Sequence, residues 1–207
     1  MDHLKQLQHL RNTYYAMRHG KSLANDEEII VSNPDQAVAR YGLSQEGRQQ
    51  VAGAIAAAMR DRILDHTTLV VASDFARARE SAEIAARLLG TPDVIVTPKL
   101  RERYFGTWDR QHHSNYERVW ADDALDPAHK QNDVESTQEV LGRVTSVIAD
   151  LERDYSNRTI LLVSHGDVLQ ILQTAFELIP SGRHRLLPHL ETGEIRKLEL
   201  KAIPFPE

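Results

Sequence analysis

The 207-residue chain contains no cysteine. That excludes disulfide staples, a thiol nucleophile and a thiolate zinc site. No run of about 18 apolar residues occurs, the length a helix needs to span a bilayer. Met1 to Gln6 lacks the apolar stretch of a secretory signal, so a cytoplasmic location is the default expectation. Excess positive charge is missing as well: 25 Lys and Arg stand against 30 Asp and Glu, for a net charge of −5. Neither a nucleic acid nor an anionic membrane is therefore an expected partner, and an anionic ligand would need a local positive pocket. There is no internal repeat and no low-complexity tract. Nor is there a Gly-x-Ser-x-Gly elbow, since Val163-Ser164-His165-Gly166 lacks the first glycine spacing; this argues against a serine hydrolase.

What is present reads as one α/β domain over 1–207. Hydrophobic residues make up 41% and charged ones 27%, ordinary for a globular protein of a size that can bury a two-faced sheet. Residues 1–12 form a polar lead-in with scattered leucines. Buried strands are expected at 13–17, 68–72, 94–96 and 159–163, with a charged and hence edge strand at 194–201. Helices are expected at 45–60 behind an N-cap at Ser44, at 75–89 with Gly90 as its stop, from the Ser136-Thr137-Gln138-Glu139 capping box to about 155, and at 168–178. Residues 107–135, with both tryptophans and the His112-His113 pair, break this rhythm and read as a partly helical excursion over the sheet edge. Alternating strands and helices predict an α/β/α three-layer sandwich.

Chemistry gathers where strands end. Arg18-His19-Gly20 follows the first strand, and Ser164-His165-Gly166-Asp167 follows the strand at 159–163. A guanidinium beside an imidazole at a strand's carboxyl end suggests an anion site holding a nucleophile or base, with Gly20 allowing a sharp turn. The strand at 68–72 leads into Ser73 and on to Arg77 and Arg79. If these strands are parallel neighbours, two His and an Arg converge in one cleft. The pair His112-His113 reads as surface rather than metal ligands, and Arg183-His184-Arg185 as a solvated basic cluster at the rim.

These motifs resemble the histidine phosphatase superfamily, the phosphoglycerate-mutase-like fold. Its signature Arg-His-Gly-x-Ser/Thr-x-x-Asn stands at residues 18 to 25. Ser73 to Ala82 looks like its middle Arg motif, Leu100 to Gly106 like its acid motif, and His165 like its second histidine. The resemblance implies a mostly parallel sheet with one antiparallel strand and a cofactor-independent phosphatase acting on a phosphorylated small molecule. It makes His19 the nucleophile, forming a phosphohistidine, and Glu102 the general acid. Arg18 and Arg77 (rather than Arg79) bind phosphoryl oxygens with His165. Ser22, Asn25, Gly166 and Asp167 are further substrate-binding candidates, and no metal is implied. Departures are Lys21, which adds positive charge beside the pocket, Arg110 where Gly is frequent, and Val134 where Gly precedes Glu135-Ser136. A phosphoglycerate-mutase-type phosphotransferase and a non-catalytic phospho-ligand binder remain alternatives; substrate and oligomeric state stay open.

Overall fold

The computed structural model describes residues 2–7, 9–91 and 93–201, residue 6 by its backbone alone. In chain order its elements are β1 (Thr13–Arg18), α1 (Leu23–Asp26), α2 (Pro34–Ala37), α3 (Gln45–Arg60), β2 (Leu69–Ala72) and α4 (Ala76–Leu89). They continue with β3 (Val94–Val96), α5 (Tyr116–Leu125), α6 (Thr137–Asp154), β4 (Thr159–Ser164), α7 (Gly166–Phe176) and β5 (Ile195–Leu198). The strands form one sheet in the order β3-β2-β4-β1-β5. β1 and β4 pair in parallel from Thr13↔Thr159 to Arg18↔Ser164, and β2 joins β4 and β3 in the same sense. Only β5 runs antiparallel, against β1 at the edge. Its Arg196 and Lys197 suit an edge rather than the doubly covered centre.

Alternation along the strands sorts side chains onto two faces. Tyr14, Ala16, Val71, Ile160 and Leu162 pack against α6 and α7. Met17, Val70, Ala72, Leu161 and Val163 pack against α3 and α4. The predicted three layers follow, with a core on each face of the sheet.

Local chemistry sets the helix ends. Ser44 Oγ accepts the Gly47 N–H at 3.0 Å, Ser136 and Glu139 close the expected capping box, and Gly90 ends α4 in the left-handed region at φ 74°. Helix α7 starts two residues before the expected 168 because His165, still extended, is its N-cap. Of the lead-in, residues 1 and 8 lie outside the described residues; His3–Gln6 is a 3₁₀ turn whose Leu4 is buried. Gly20 is required for a different reason than a turn. Its φ is ordinary, but a Cβ there would stand 2.3 Å from the Gly47 carbonyl oxygen, so the β1–α1 loop presses directly on the start of α3.

The excursion at 107–135 contains three 3₁₀ turns and α5. It lies over the carboxyl ends of the strands rather than along a sheet edge. Val119 and Val134 form a small separate core with Ile30 and Phe105 there, and Phe105 bridges Val134. The apolar side chains that anchor it pair with the loop after α1, not with β3 or β5. Among the described residues no helix is long and apolar enough to cross a membrane.

Candidate active site

β1, β4 and β2 are adjacent, so their carboxyl ends deliver His19, His165 and the start of α4 to one place. A cleft of about 200 Å³ opens there, lined by Arg18, His19, Arg77, Glu102, Gly166 and Asp167 among others.

His19 is buried, and its Nδ1 lies 2.7 Å from the Gly20 carbonyl oxygen. A carbonyl can only accept, so the ring proton sits on Nδ1 and the lone pair on Nε2. Arg77 Nε donates to that nitrogen at 3.0 Å. Burial, then the charges of Arg77 and Arg18, hold the imidazole well below its ordinary pKa, so it is neutral and nucleophilic at neutral pH.

Arg77 projects from the first turn of α4, and its Nη2 donates to the Val31 carbonyl at 2.9 Å. That carbonyl is held in place by Asp109, whose Oδ1 accepts the backbone N–H groups of Ser32 and Asn33. Arg18 is fixed from the other side: Nη1 lies 2.6 Å from His189 Nε2 and 3.0 Å from the Leu190 carbonyl. Gly166 makes room for it, since a Cβ there would come within 3.4 Å of the guanidinium carbon. His165 lies behind His19, ring centroids 5.1 Å apart, with Nε2 3.0 Å from Ser73 Oγ. Ser73 Oγ also accepts the Phe75 N–H; with its own hydrogen given to His165 Nε2, the imidazole proton is on Nδ1. Arg18 Nε, Arg77 Nη1 and His165 Nδ1 are all buried without a protein partner. Buried donors are almost always satisfied, so three around one histidine point to an oxyanion as their partner.

Glu102 is 9% exposed. The sequence leaves open a solvated ion pair with its arginine neighbours, but both are engaged elsewhere. Arg101 forms a two-pronged pair with Asp74, and Arg103 another with Asp123. Burial, then the nearby Asp167 charge, raises the Glu102 carboxyl to about 7.

The remaining candidates are placed as follows. Ser22 and Asn25 line the cleft, yet they also bond each other as the capping box of α1. The Asp167 carboxylate has Trp120 Nε1 at 2.9 Å, His184 Nε2 at 3.2 Å and Arg103 Nη1 at 3.3 Å. Burial alone would raise it, but those groups outweigh burial and hold it well below the usual range. Arg79 points to solvent toward Glu83. Lys21 is not at the pocket: Asp26 and Glu46 each hold its Nζ at 2.9 Å. His184 corrects the solvated-cluster expectation, being fully buried against Asp167. A 3₁₀ period of three turns it inward while Arg183 and Arg185 face out.

His189 is a site residue that sequence reasoning did not assign, and Tyr116 one it placed only on the rim of the excursion with Trp108 and Trp120. No spacing links His189 to Arg18, 171 residues earlier. The fold brings Glu28 to His112 and His113 at the cleft mouth. All three are exposed; His112 Nδ1 accepts the Ser114 N–H, and its Nε2 makes only a loose 3.5 Å contact with the Glu28 carboxylate.

Known proteins resemble the chain in sequence and in fold. A probable phosphoglycerate mutase, GpmB, of Enterobacter sp. (strain 638) is 30% identical over 196 residues, covering 92% of this chain and 86% of that protein. The corresponding protein of Citrobacter koseri is 32% identical over 84% of this chain and 78% of its own length. A mycobacterial glucosyl-3-phosphoglycerate phosphatase in complex with VO3 superposes with a TM-score of 0.75 at 23% identity, covering 89% of this chain and 91% of that one. The α-ribazole phosphatase of Shigella flexneri gives a TM-score of 0.68 at 24% identity, covering 89% of each chain. Residues 14–203 match the histidine phosphatase superfamily (branch 1), and the chain belongs to it.

Proposed function

We propose that the protein is a phosphomonoesterase working through a phosphohistidine on His19. The observation that carries this reading is the neutral His19, its Nε2 lone pair free of a proton and ringed by three unsatisfied buried donors. The Arg77 Nε–H hydrogen bond passes from His19 to a phosphoryl oxygen, which frees the Nε2 lone pair to attack phosphorus as the ester P–O bond breaks. Arg18, Arg77 and His165 compensate the phosphoryl charge, while Glu102 gives its proton to the departing alkoxide. In the second half Glu102, now a carboxylate, takes a proton from water as that water attacks phosphorus. The P–N bond breaks, phosphate leaves, and both groups return to their starting states.

Rapid quenching with a labelled substrate should trap an acid-labile, base-stable phosphoenzyme, and His19→Ala should abolish label and turnover together. A labelled His19→Ala protein would sink the assignment. Vanadate should inhibit, as a five-coordinate mimic of the reacting phosphorus.

A mutase reading is favoured by the probable phosphoglycerate mutases among the relatives. A mutase must keep water from the phosphohistidine until an acceptor hydroxyl returns. Only 62 residues separate Glu102 from His165, much of them taken by α6 and β4, which leaves a rim rather than a sealed lid. Incubation with 3-phosphoglycerate, with and without 2,3-bisphosphoglycerate, decides between them. Isomer interconversion outpacing phosphate release would establish the mutase.

A further inference from the structure

The alcohol half of an ester held at His19 must lie against whatever lines the cleft beyond the phosphate-binding atoms. Two guanidiniums line it, Arg18 and Arg77, and a phosphoryl dianion uses the charge of both. What surrounds the leaving group is different in kind: Ala24, Ile29 and Val31 on one side, Tyr116 and Trp120 on the other. The remaining lining charges are carboxyls, those of Glu102 and Asp167. Two cations that stand nearby in sequence are turned away. Lys21 is held between Asp26 and Glu46, and Arg185, which does not line the cleft, lies 3.7 Å over the Trp120 ring while bonding Gln170. Of the two lining imidazoles, His113 is exposed at the mouth and His189 faces the Arg18 guanidinium, which disfavours a second positive charge there.

The aromatic wall is rigid. Tyr116 stacks on Trp120 at 5.4 Å with planes 12° apart, and meets Phe105 edge-on at 4.7 Å. Trp120 is in turn pinned by its Nε1–H to Asp167. A preformed apolar surface is bound without the entropic cost of ordering it. A carboxylate or second phosphate in the same place would lose water and find no lining cation beyond the two guanidiniums already engaged by the phosphoryl group, an arrangement that disfavours binding.

We infer that the leaving group is a small neutral alcohol with an apolar or aromatic body, seated against Ala24, Ile29, Val31, Tyr116 and Trp120. Esters with a second anionic group near the phosphate, 3-phosphoglycerate among them, are then poor substrates. The inference rests on the phosphomonoesterase reading but is tested apart from it, by binding rather than turnover.

The probes are two non-hydrolysable phosphonates that differ only at the tail, 2-phenylethylphosphonate and 2-carboxyethylphosphonate. Their affinities are compared by calorimetry at pH 8, where free imidazoles are neutral. The phenyl compound should bind about 10–100-fold more tightly, the usual range for an apolar group gaining or losing its pocket. Tyr116→Ala should remove most of that preference, and Tyr116→Phe, which keeps the ring, should retain it. The comparison on the unaltered protein decides the matter even if Tyr116→Ala fails to fold. Equal affinities, or tighter binding of the carboxyethyl compound, would overturn the inference. Failure of both to bind would overturn it together with the phosphate floor. Absence of a phosphoenzyme, by contrast, would sink only the catalytic reading and leave the affinity ratio meaningful.

Discussion

Glu102 and Arg18 illustrate how a residue's neighbours decide its chemistry. With its carboxyl raised to about 7, Glu102 is a proton donor below neutrality and loses that proton above it. Turnover of an alkyl phosphate should therefore fall as pH rises past about 7, whereas p-nitrophenyl phosphate, with its good leaving group, should show little of this limb. Glu102→Gln should lower the alkyl rate by about 10²–10⁴-fold and abolish the limb. An alkaline limb persisting in the Gln variant would assign it to another group. Arg18 depends on an acceptor instead. His189 Nε2, 2.6 Å away, and the Leu190 carbonyl hold one prong so that Nε faces the cleft. His189→Ala should cut kcat/KM by about 10–100-fold through misplacement of that guanidinium. His189→Gln, which restores an acceptor, should recover most of the loss; a Gln variant no better than Ala would show that His189 does not act by orienting Arg18.

At the scale of elements, α5 is tied down by charge as much as by apolar contact. Arg103, with no exposed side-chain surface, grips Asp123 of α5 through both Nη atoms at 2.7 Å and reaches Asp167 at the start of α7. His129 adds a 2.8 Å contact to the same Asp123. The helix that carries Tyr116 and Trp120 is thereby joined to the residue next to Glu102. Breaking such a pair is costlier than never having had it, because the guanidinium stays buried. Asp123→Ala should thus destabilise the fold by about 3–5 kcal/mol, read as a lowered urea midpoint. A change under about 1 kcal/mol would mean that water or a shifted side chain replaces the carboxylate.

For the molecule as a whole, the sequence was most informative where chemistry is local. Arg18, His19 and His165 sit within two residues of a strand end, Arg77 lies in the first turn after one, and Ser44, Ser136 and Gly90 mark helix ends by their own side chains or lack of one. Groups that act across the fold left no such trace. His189 finds Arg18, and Ser73 finds His165, only after distant strands pair. His184 looked solvated between two arginines because a 3₁₀ turn, unlike an α-helix, faces every third residue the same way. Glu102 was located by motif, but its depth, and hence its acidity, came from Arg101 and Arg103 being drawn off by Asp74 and Asp123.

The position of β1 in the sheet has a consequence for synthesis. Both of its neighbours, β4 and β5, come from the last third of the sequence given. On a ribosome adding about 5–20 residues per second, Thr159 emerges some 7–30 s after Arg18. Throughout that interval Tyr14, Ala16 and Met17 have no strand to join, so a nascent apolar edge is exposed for far longer than hairpin formation takes. His19 is thus made well before the strands that seat it, and a fragment ending before β4 lacks both partners of the strand that carries it.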